Sequence, residues 1–249
     1  PYHLANAGEQ TVMATVVAKA SCALLRVQYR SHPALAALTS RVFYNGALES
    51  PPSWSPGKVR DFEQPTARLV CFKVDPAKNH KGSLMKRNLA YPCEQQIKVW
   101  QNIKRSLDKT LGRRTTLTIS PYRDVVNECK KYSEINMANR CMTVDSAQGS
   151  EADIVYFSLG RDRDGQGFCS DSKRVNVATS RAKLLLVIII GTEMVNLDLK
   201  EPRPKEALWW ALIHCCTDLH QIIHVPYNGD PNHVTYVETA KRIIFDNKK

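Results

Sequence analysis

The sequence predicts an α/β fold, a mostly parallel sheet flanked by helices, and three observations predict it. Short β-branched runs alternate with amphipathic segments along the chain, the pattern of strands joined by crossover helices. One run, Leu184 to Ile190, is apolar without a break, as suits a central strand buried on both faces. The length of 249 residues and the 43% hydrophobic content are ample for one large core.

Taken in order, Leu24 to Gln28 is expected to be a strand ending at Tyr29-Arg30. Pro33 suits the first position of a helix, and Ala34, Leu35, Leu38 and Val42 follow at helical spacing. Asn45 to Pro65, rich in proline, reads as a loop, Leu69 to Val74 as a strand and Asn79 to Pro92 as a basic connection. A helix is expected from Glu94 to Lys109 with Ile97, Trp100, Ile103 and Leu107 on one face. Thr115 to Ile119 is a strand stopped by Pro121, and Arg123 to Tyr132 is helical. Arg140 to Val144 and Asp153 to Leu159 are further strands, and the polar, glycine-bearing Gly160 to Asp171 is a mobile loop. Lys173 to Ser180 is a short helix before the central strand, giving five or six strands in all. Beyond Gly191, Ala207 to Cys215 and Tyr236 to Phe245 look like packing helices.

Bulk properties narrow the function. The longest apolar run is far short of the roughly 20 residues that span a bilayer, and no secretory signal is visible. The eight cysteines are scattered without a C-x-x-C pair, so reduced thiols in an intracellular compartment, nucleus or cytoplasm, are the simplest reading. In HCCTDLHQIIH (His214 to His224), His220 and His224 have a spacing compatible with zinc. Leu219, Ile222 and Ile223 interleave them, however, and a core element carrying surface histidines is the better reading, so no metal ligand is assigned. The formal net charge is +11. Between Lys73 and Lys131 there are 14 Lys or Arg against 5 Asp or Glu, a surplus that favours a polyanion.

Three stretches carry chemistry: VQYRSHPAL (Val27 to Leu35), VDSAQGSEAD (Val144 to Asp153) and RVNVATSRAK (Arg174 to Lys183). The first and last each hold an arginine, Arg30 and Arg181, and a guanidinium fork is suited to spreading charge over a transferring phosphoryl group. Yet the chain has no G-x-x-x-x-G-K-S/T phosphate cradle and no Asp-Glu pair closing an apolar strand to hold magnesium. With Pro1 rather than Met at the start, this points to half of an active site on a fragment of a longer protein.

In this order and spacing the three stretches closely resemble motifs IV, V and VI of superfamily 1B helicases, the group containing the RNA helicases of nonsense-mediated decay and transcription termination and the DNA replication helicase-nuclease. The resemblance covers Leu25 to Gly191, about two thirds of the chain. It implies a RecA-like P-loop NTPase fold, the second helicase domain, over residues 24–195, with an N-terminal extension at 1–23 and a C-terminal helical extension at 196–249. It implies that Arg30 and Arg181 reach the γ-phosphate of ATP, that Tyr29 stacks on the base and that Glu151 bonds the ribose. Gln148 and Gly149 would contact the nucleotide from the loop coupling nucleotide state to the nucleic acid. Thr143, Asp145, Ser146, Pro121 and Tyr122 would touch single-stranded RNA or DNA. Magnesium would be held mainly by a first RecA-like domain of the same protein. The sequence departs from the family at Ser31, usually Met; at Ala147, usually aromatic, which weakens the link to nucleic-acid coupling; and at Thr179-Ser180, usually Leu-Thr. The competing class is a non-catalytic nucleic-acid- or protein-binding module derived from a helicase domain.

Where Pro121-Tyr122, Asp145-Ser146, Tyr29-Arg30 and the Gly160 loop all end strands, they are expected to gather on one edge of the sheet, at its carboxyl ends.

Overall fold

The computed structural model describes residues 25–54, 67–76, 93–112, 114–133, 138–161, 171–194, 207–217, 221–226 and 235–245. The expected N-terminal extension, the basic connection and most of the Gly160 to Asp171 loop lie outside them.

Six strands form one parallel sheet: β1 (Leu69–Val74), β2 (Thr116–Ser120), β3 (Asn139–Thr143), β4 (Ala152–Ser158), β5 (Ala182–Gly191) and β6 (Ile222–Val225), in the order β3-β2-β4-β5-β1-β6. The apolar run read as central is β5, buried along nearly its whole length between β4 and β1. Alternation along the strands divides the core into two layers. On one face, Leu69, Cys71, Val155, Phe157, Leu186 and Ile188 pack with α1 (Pro33–Phe43), α4 (Ser172–Thr179) and α5 (Ala207–Thr217). On the other, Val70, Phe72, Ile154, Tyr156, Leu185 and Val187 pack with α2 (Glu94–Leu111), α3 (Arg123–Lys131) and α6 (Thr235–Phe245). This is the expected architecture, mostly parallel and helix-flanked, of a RecA-like P-loop NTPase fold.

Local chemistry sets the helix ends. Pro33 opens α1, and the imidazole Nδ1 of His32 accepts from the amide of Ala34 at 3.2 Å. That bond needs an unprotonated nitrogen, and burial, with the charge of Arg68 adding, holds the His32 pKa down at about 4. Ile97, Trp100, Ile103 and Leu107 are all buried on α2, as their spacing predicts. Gly112, at φ +64°, ends that helix in a conformation only glycine takes easily.

Two expectations are corrected. Residues 25–28 are no strand of the sheet: they make one isolated parallel bridge, Val27 with Glu49, and Leu25, Val27 and Tyr29 are exposed. Their apolar alternation mimics a half-buried strand, but the apolar side faces outward. Residues 222–225, in the stretch expected to add only helices, form β6 against β1. There Ile223 and Val225 are buried while His224 faces out and pairs with Asp75 at 2.7 Å, so the stretch is a core element with a surface histidine. His214 stacks on Trp210, and His220 lies outside the described residues.

Cys71, Cys129 and Cys141 are buried free thiols, and Cys93 is also buried. Among the described residues no helix is long and apolar enough to cross a membrane.

Candidate functional site

The motif residues occupy two opposite edges of the sheet, not one. The reason is that two of the motifs are themselves crossovers. Val144 to Asp153 leaves the carboxyl end of β3, makes a 3-10 turn at Asp145–Ala147 and reaches the amino end of β4. Arg174 to Lys183 runs down α4 to the amino end of β5. Each motif therefore spans the height of the sheet.

At the amino edge, the loop before α1 is tied to β5: the amide of His32 donates to the carbonyl of Lys183 at 2.8 Å and Ser31 Oγ to that of Ala182 at 2.7 Å. The serine that departs from the family pattern thus anchors the arginine beside it. Arg30 Nε donates to Glu151 Oε2 at 2.9 Å, and its Nη1 reaches the carbonyl of Ser180, 150 residues away in sequence, at 3.4 Å. Lys183 Nζ pairs with the other oxygen of Glu151 at 2.5 Å. The Lys183 ammonium, then Arg30, hold the Glu151 carboxyl below its usual range against the opposing effect of burial.

Arg181 is half-buried, and among the described residues no carboxylate pairs with it directly. Its Nε donates to the carbonyl of Val177 at 2.9 Å, Nη2 to Ser180 Oγ at 3.0 Å and Nη1 to the carbonyl of Ser150 at 3.4 Å. Burial first, and then the nearby charge of Arg30, lower its pKa. Arg30 and Lys183 thus share one carboxylate, Glu151, with Arg181 beside them, so among these four groups two positive charges are in excess. An anion presented to this edge would find two guanidinium groups already positioned. Tyr29, next to Arg30, is 73% exposed.

The carboxyl edge holds the other set. Thr143 Oγ1 bonds both the amide and the hydroxyl of Ser146, at 3.3 and 3.0 Å, fixing the turn. Asp145 pairs with Arg174 at 3.2 Å. Gln148 and Gly149 are exposed, and Gly149 stands at φ +82° with open space where a side chain would be. Ala147, where the family pattern has an aromatic, is fully buried, so the turn packs on the core through a methyl group.

Pro121 is buried and Tyr122 half-buried, packed against both core layers. The Arg161 guanidinium lies over the Tyr122 ring at 4.4 Å and pairs with Asp124 at 2.7 Å. Arg161 is itself held from behind. The fully buried amide of Gln96 donates to the Arg161 carbonyl at 2.7 Å and accepts from the Gly160 amide at 3.0 Å. The start of the loop expected to be mobile is therefore fixed at Gly160 and Arg161.

Lys183, Gln96 and Arg161 were not singled out by sequence reasoning, and Ser180 was noted only as a departure from the family pattern. Lys183 is the single charged residue of β5, a signal available in the sequence; the roles of Gln96 and Arg161 exist only through packing. Among the described residues no group of three or more His, Cys, Asp or Glu converges as a metal site would.

Comparison with known proteins agrees with this fold. The family described as AAA domain matches residues 8–193. Helicase SEN1 of Saccharomyces cerevisiae is 28% identical over 78% of this chain and 9% of its own length. The ATP-dependent helicase upf1 of Schizosaccharomyces pombe is 28% identical over 82% of this chain and 22% of its own. The probable helicase MAGATAMA 3 of Arabidopsis thaliana is 28% identical over 81% of this chain and 25% of its own. The chain thus spans a quarter or less of each of these relatives. With the match covering most of its length, the chain belongs to the AAA domain family and is homologous to superfamily 1 helicases.

Proposed function

We propose that the chain is the second RecA-like domain of an ATP-driven helicase, its amino edge closing on a triphosphate held by a preceding domain and its carboxyl edge contacting single-stranded RNA or DNA. The observation that carries this reading is the convergence of Arg30 and Arg181 at Ser180, with two positive charges in excess. In the closed cleft the two guanidinium groups neutralise charge developing on the terminal phosphoryl oxygens. Tyr29 offers its ring to the base. Both oxygens of Glu151 are engaged by Arg30 and Lys183, but each retains a lone pair with which to accept from a ribose hydroxyl. Magnesium is supplied with the nucleotide and held mainly by the first domain. Residues 24–195 form the helicase unit, with extensions at 1–23 and 196–249, in an intracellular protein of nucleus or cytoplasm.

On the carboxyl edge, Thr143, Asp145, Ser146, Gln148 and Gly149 form a turn whose short polar groups and exposed glycine let backbone amides approach a phosphate. Pro121 and Tyr122 sit beside it, with Tyr122 held by Arg161 for contact with a base. Nucleotide and strand sites are joined through the two crossovers, α4 and the 144–151 segment, which end at Arg181 and Glu151.

Two outcomes are expected of the purified chain. It should show negligible ATPase activity, because no phosphate-cradling loop is present in the sequence; activity that survives repurification and is abolished by Arg181→Ala would refute the half-site reading. It should also bind single strands weakly and without sequence preference. If about four phosphates are neutralised, the log-log slope of affinity against salt is near −3, at roughly 0.7 per contact. Lys98, Lys104 and Lys131 are each paired with a carboxylate on their own helix, so a steeper slope would be surprising. A flat dependence, or no binding at low salt, would favour a domain that binds protein instead.

A further inference from the structure

Glu151 is held by its backbone as well as by its carboxylate, and the backbone tie leads to the strand that ends at Thr143. Arg140 is the second residue of β3, and its Nη2 donates to the carbonyl of Glu151, 11 residues further along the chain, at 2.7 Å. Alternation fixes the path of this side chain. Cys141 packs into the layer of α2 and α3, while Met142 packs against the other layer, where Val144 and Ala147 of the crossover are buried. Arg140 shares the face of Met142 and so lies beneath the 144–151 crossover. In the sheet β2 separates β3 from β4, and the guanidinium therefore reaches across β2 to the residue that precedes β4.

The bond closes a ring that runs up β3 to Thr143, through the turn that Thr143 fixes to Ser146, down to Glu151 and back through Arg140. At its lower end the ring is tied to the nucleotide edge: Arg30 and Lys183 grip the Glu151 carboxylate, and the Ala152 amide donates to the Arg181 carbonyl at 3.2 Å. Stability alone does not call for a guanidinium here. Arg140 is half-buried, and its Nε is buried with no hydrogen-bond partner among the described residues, a cost that an apolar side chain of similar length would avoid. What the guanidinium adds is a charge-assisted bond between the two ends of the crossover. Among the described residues β3 is the last strand at its end of the sheet and pairs only with β2, so a shift of β3 disturbs one ladder and not two. From Arg140 to Thr143 it spans roughly 10 Å, at about 3.3 Å per residue, which carries a displacement from one edge to the other.

We propose that Arg140 is a positioning residue that couples the two edges: when nucleotide engages Glu151, Arg140 passes the shift of that residue to β3, and so to Thr143 and Ser146 beside the single strand. This rests on the proposed helicase function and adds to it a residue that lies outside all three motifs. Arg140 touches neither nucleotide nor strand in this arrangement. Its effect is confined to the influence of one ligand on the other, and that influence is reciprocal.

The test is made on the full-length protein. Affinity for single-stranded oligo(U) and oligo(dT) is measured with and without the magnesium complex of adenylyl imidodiphosphate, and affinity for that nucleotide with and without oligonucleotide. Linkage makes the two ratios equal, and in the unmodified protein they should depart from one by about 5- to 150-fold. Arg140→Met, which keeps the length of the side chain and loses the donor, should bring the ratio at least about threefold closer to one, while each affinity measured alone changes by less than about twofold. Arg140→Lys restores a donor and should recover part of the ratio. A purely structural role would lower stability or both affinities and leave the ratio unchanged. Should Arg140→Met not fold, amide hydrogen exchange in the unmodified protein decides: nucleotide alone should alter exchange along β3. An unchanged ratio in Arg140→Met, a ratio of one in the unmodified protein, or exchange in β3 indifferent to nucleotide would each overturn the coupling role and leave the proposed function standing. Failure of the unmodified protein to bind the nucleotide at all would strike the proposed function, and the coupling with it.

Discussion

Replacing Arg181 by lysine in the full-length protein is expected, on the proposed helicase function, to lower ATP turnover by about 10³- to 10⁵-fold while changing nucleotide affinity far less. The geometry says why charge alone is insufficient. Arg181 Nε is committed to the carbonyl of Val177 at 2.9 Å, the last turn of α4, and this bond fixes the plane of the fork. The two remaining nitrogens rest on neutral acceptors, Ser180 Oγ and the more distant Ser150 carbonyl, and are the ones that can be handed to a phosphoryl oxygen. Lysine has one nitrogen for both tasks and cannot anchor and donate with the same fixed geometry. Steady-state ATPase measurements with and without saturating oligonucleotide, beside nucleotide binding, decide the matter. Near-normal turnover would remove Arg181 from the transition state and with it the main support for a shared cleft.

That the two arginines meet was suggested in the sequence only through the motifs containing them; their register is a product of the fold. Ser31 and His32 pin one to β5, while α4 delivers the other. The parts of the fold set by local periodicity were legible. The unbroken run of β5 marked the centre of the sheet, and the apolar stripe of α2 marked its buried face.

What failed did so where local pattern and tertiary placement diverge. Residues 25–28 alternate as a strand does, but nothing in alternation says which side will be covered. β6 has four residues, too few for a period of two to be told from one helical turn. The expectation of a single functional edge treated each motif as a strand end. It missed that a motif beginning after β3 and finishing before β4 must cross the sheet. The clamp behind Tyr122 was not readable either, because a buried glutamine bonding a backbone 65 residues away leaves no periodic trace.

That clamp makes a second large effect measurable. Gly160→Ala is expected to destabilise the chain by about 3 kcal/mol, from two sources. Gly160 stands at φ +61°, where a side chain costs about 1–2 kcal/mol. A Cβ there would lie 2.4 and 2.8 Å from the two γ-carbons of Val125, and overpacking of this kind costs typically about 1–3 kcal/mol. The lower entropy of alanine in the unfolded chain returns only about 0.4–1 kcal/mol. Relief is blocked on both sides: the Gly160 amide is bonded to Gln96 and its carbonyl accepts from Cys93 at 2.7 Å, so the backbone cannot withdraw without breaking the contact between β4 and α2. Val125 is fully buried on α3 and cannot swing into solvent. Val125→Ala removes both clashing carbons and leaves the nearest contact at 3.2 Å, so the double variant should be more stable than the sum of the single losses by at least about 1 kcal/mol, while the strain at φ +61° persists. Urea unfolding of the four proteins tests this. A loss below about 0.5 kcal/mol in Gly160→Ala, the scale of an ordinary surface change, would mean that this corner yields freely. Arg161, one residue on, would then have no rigid seat from which to hold Tyr122.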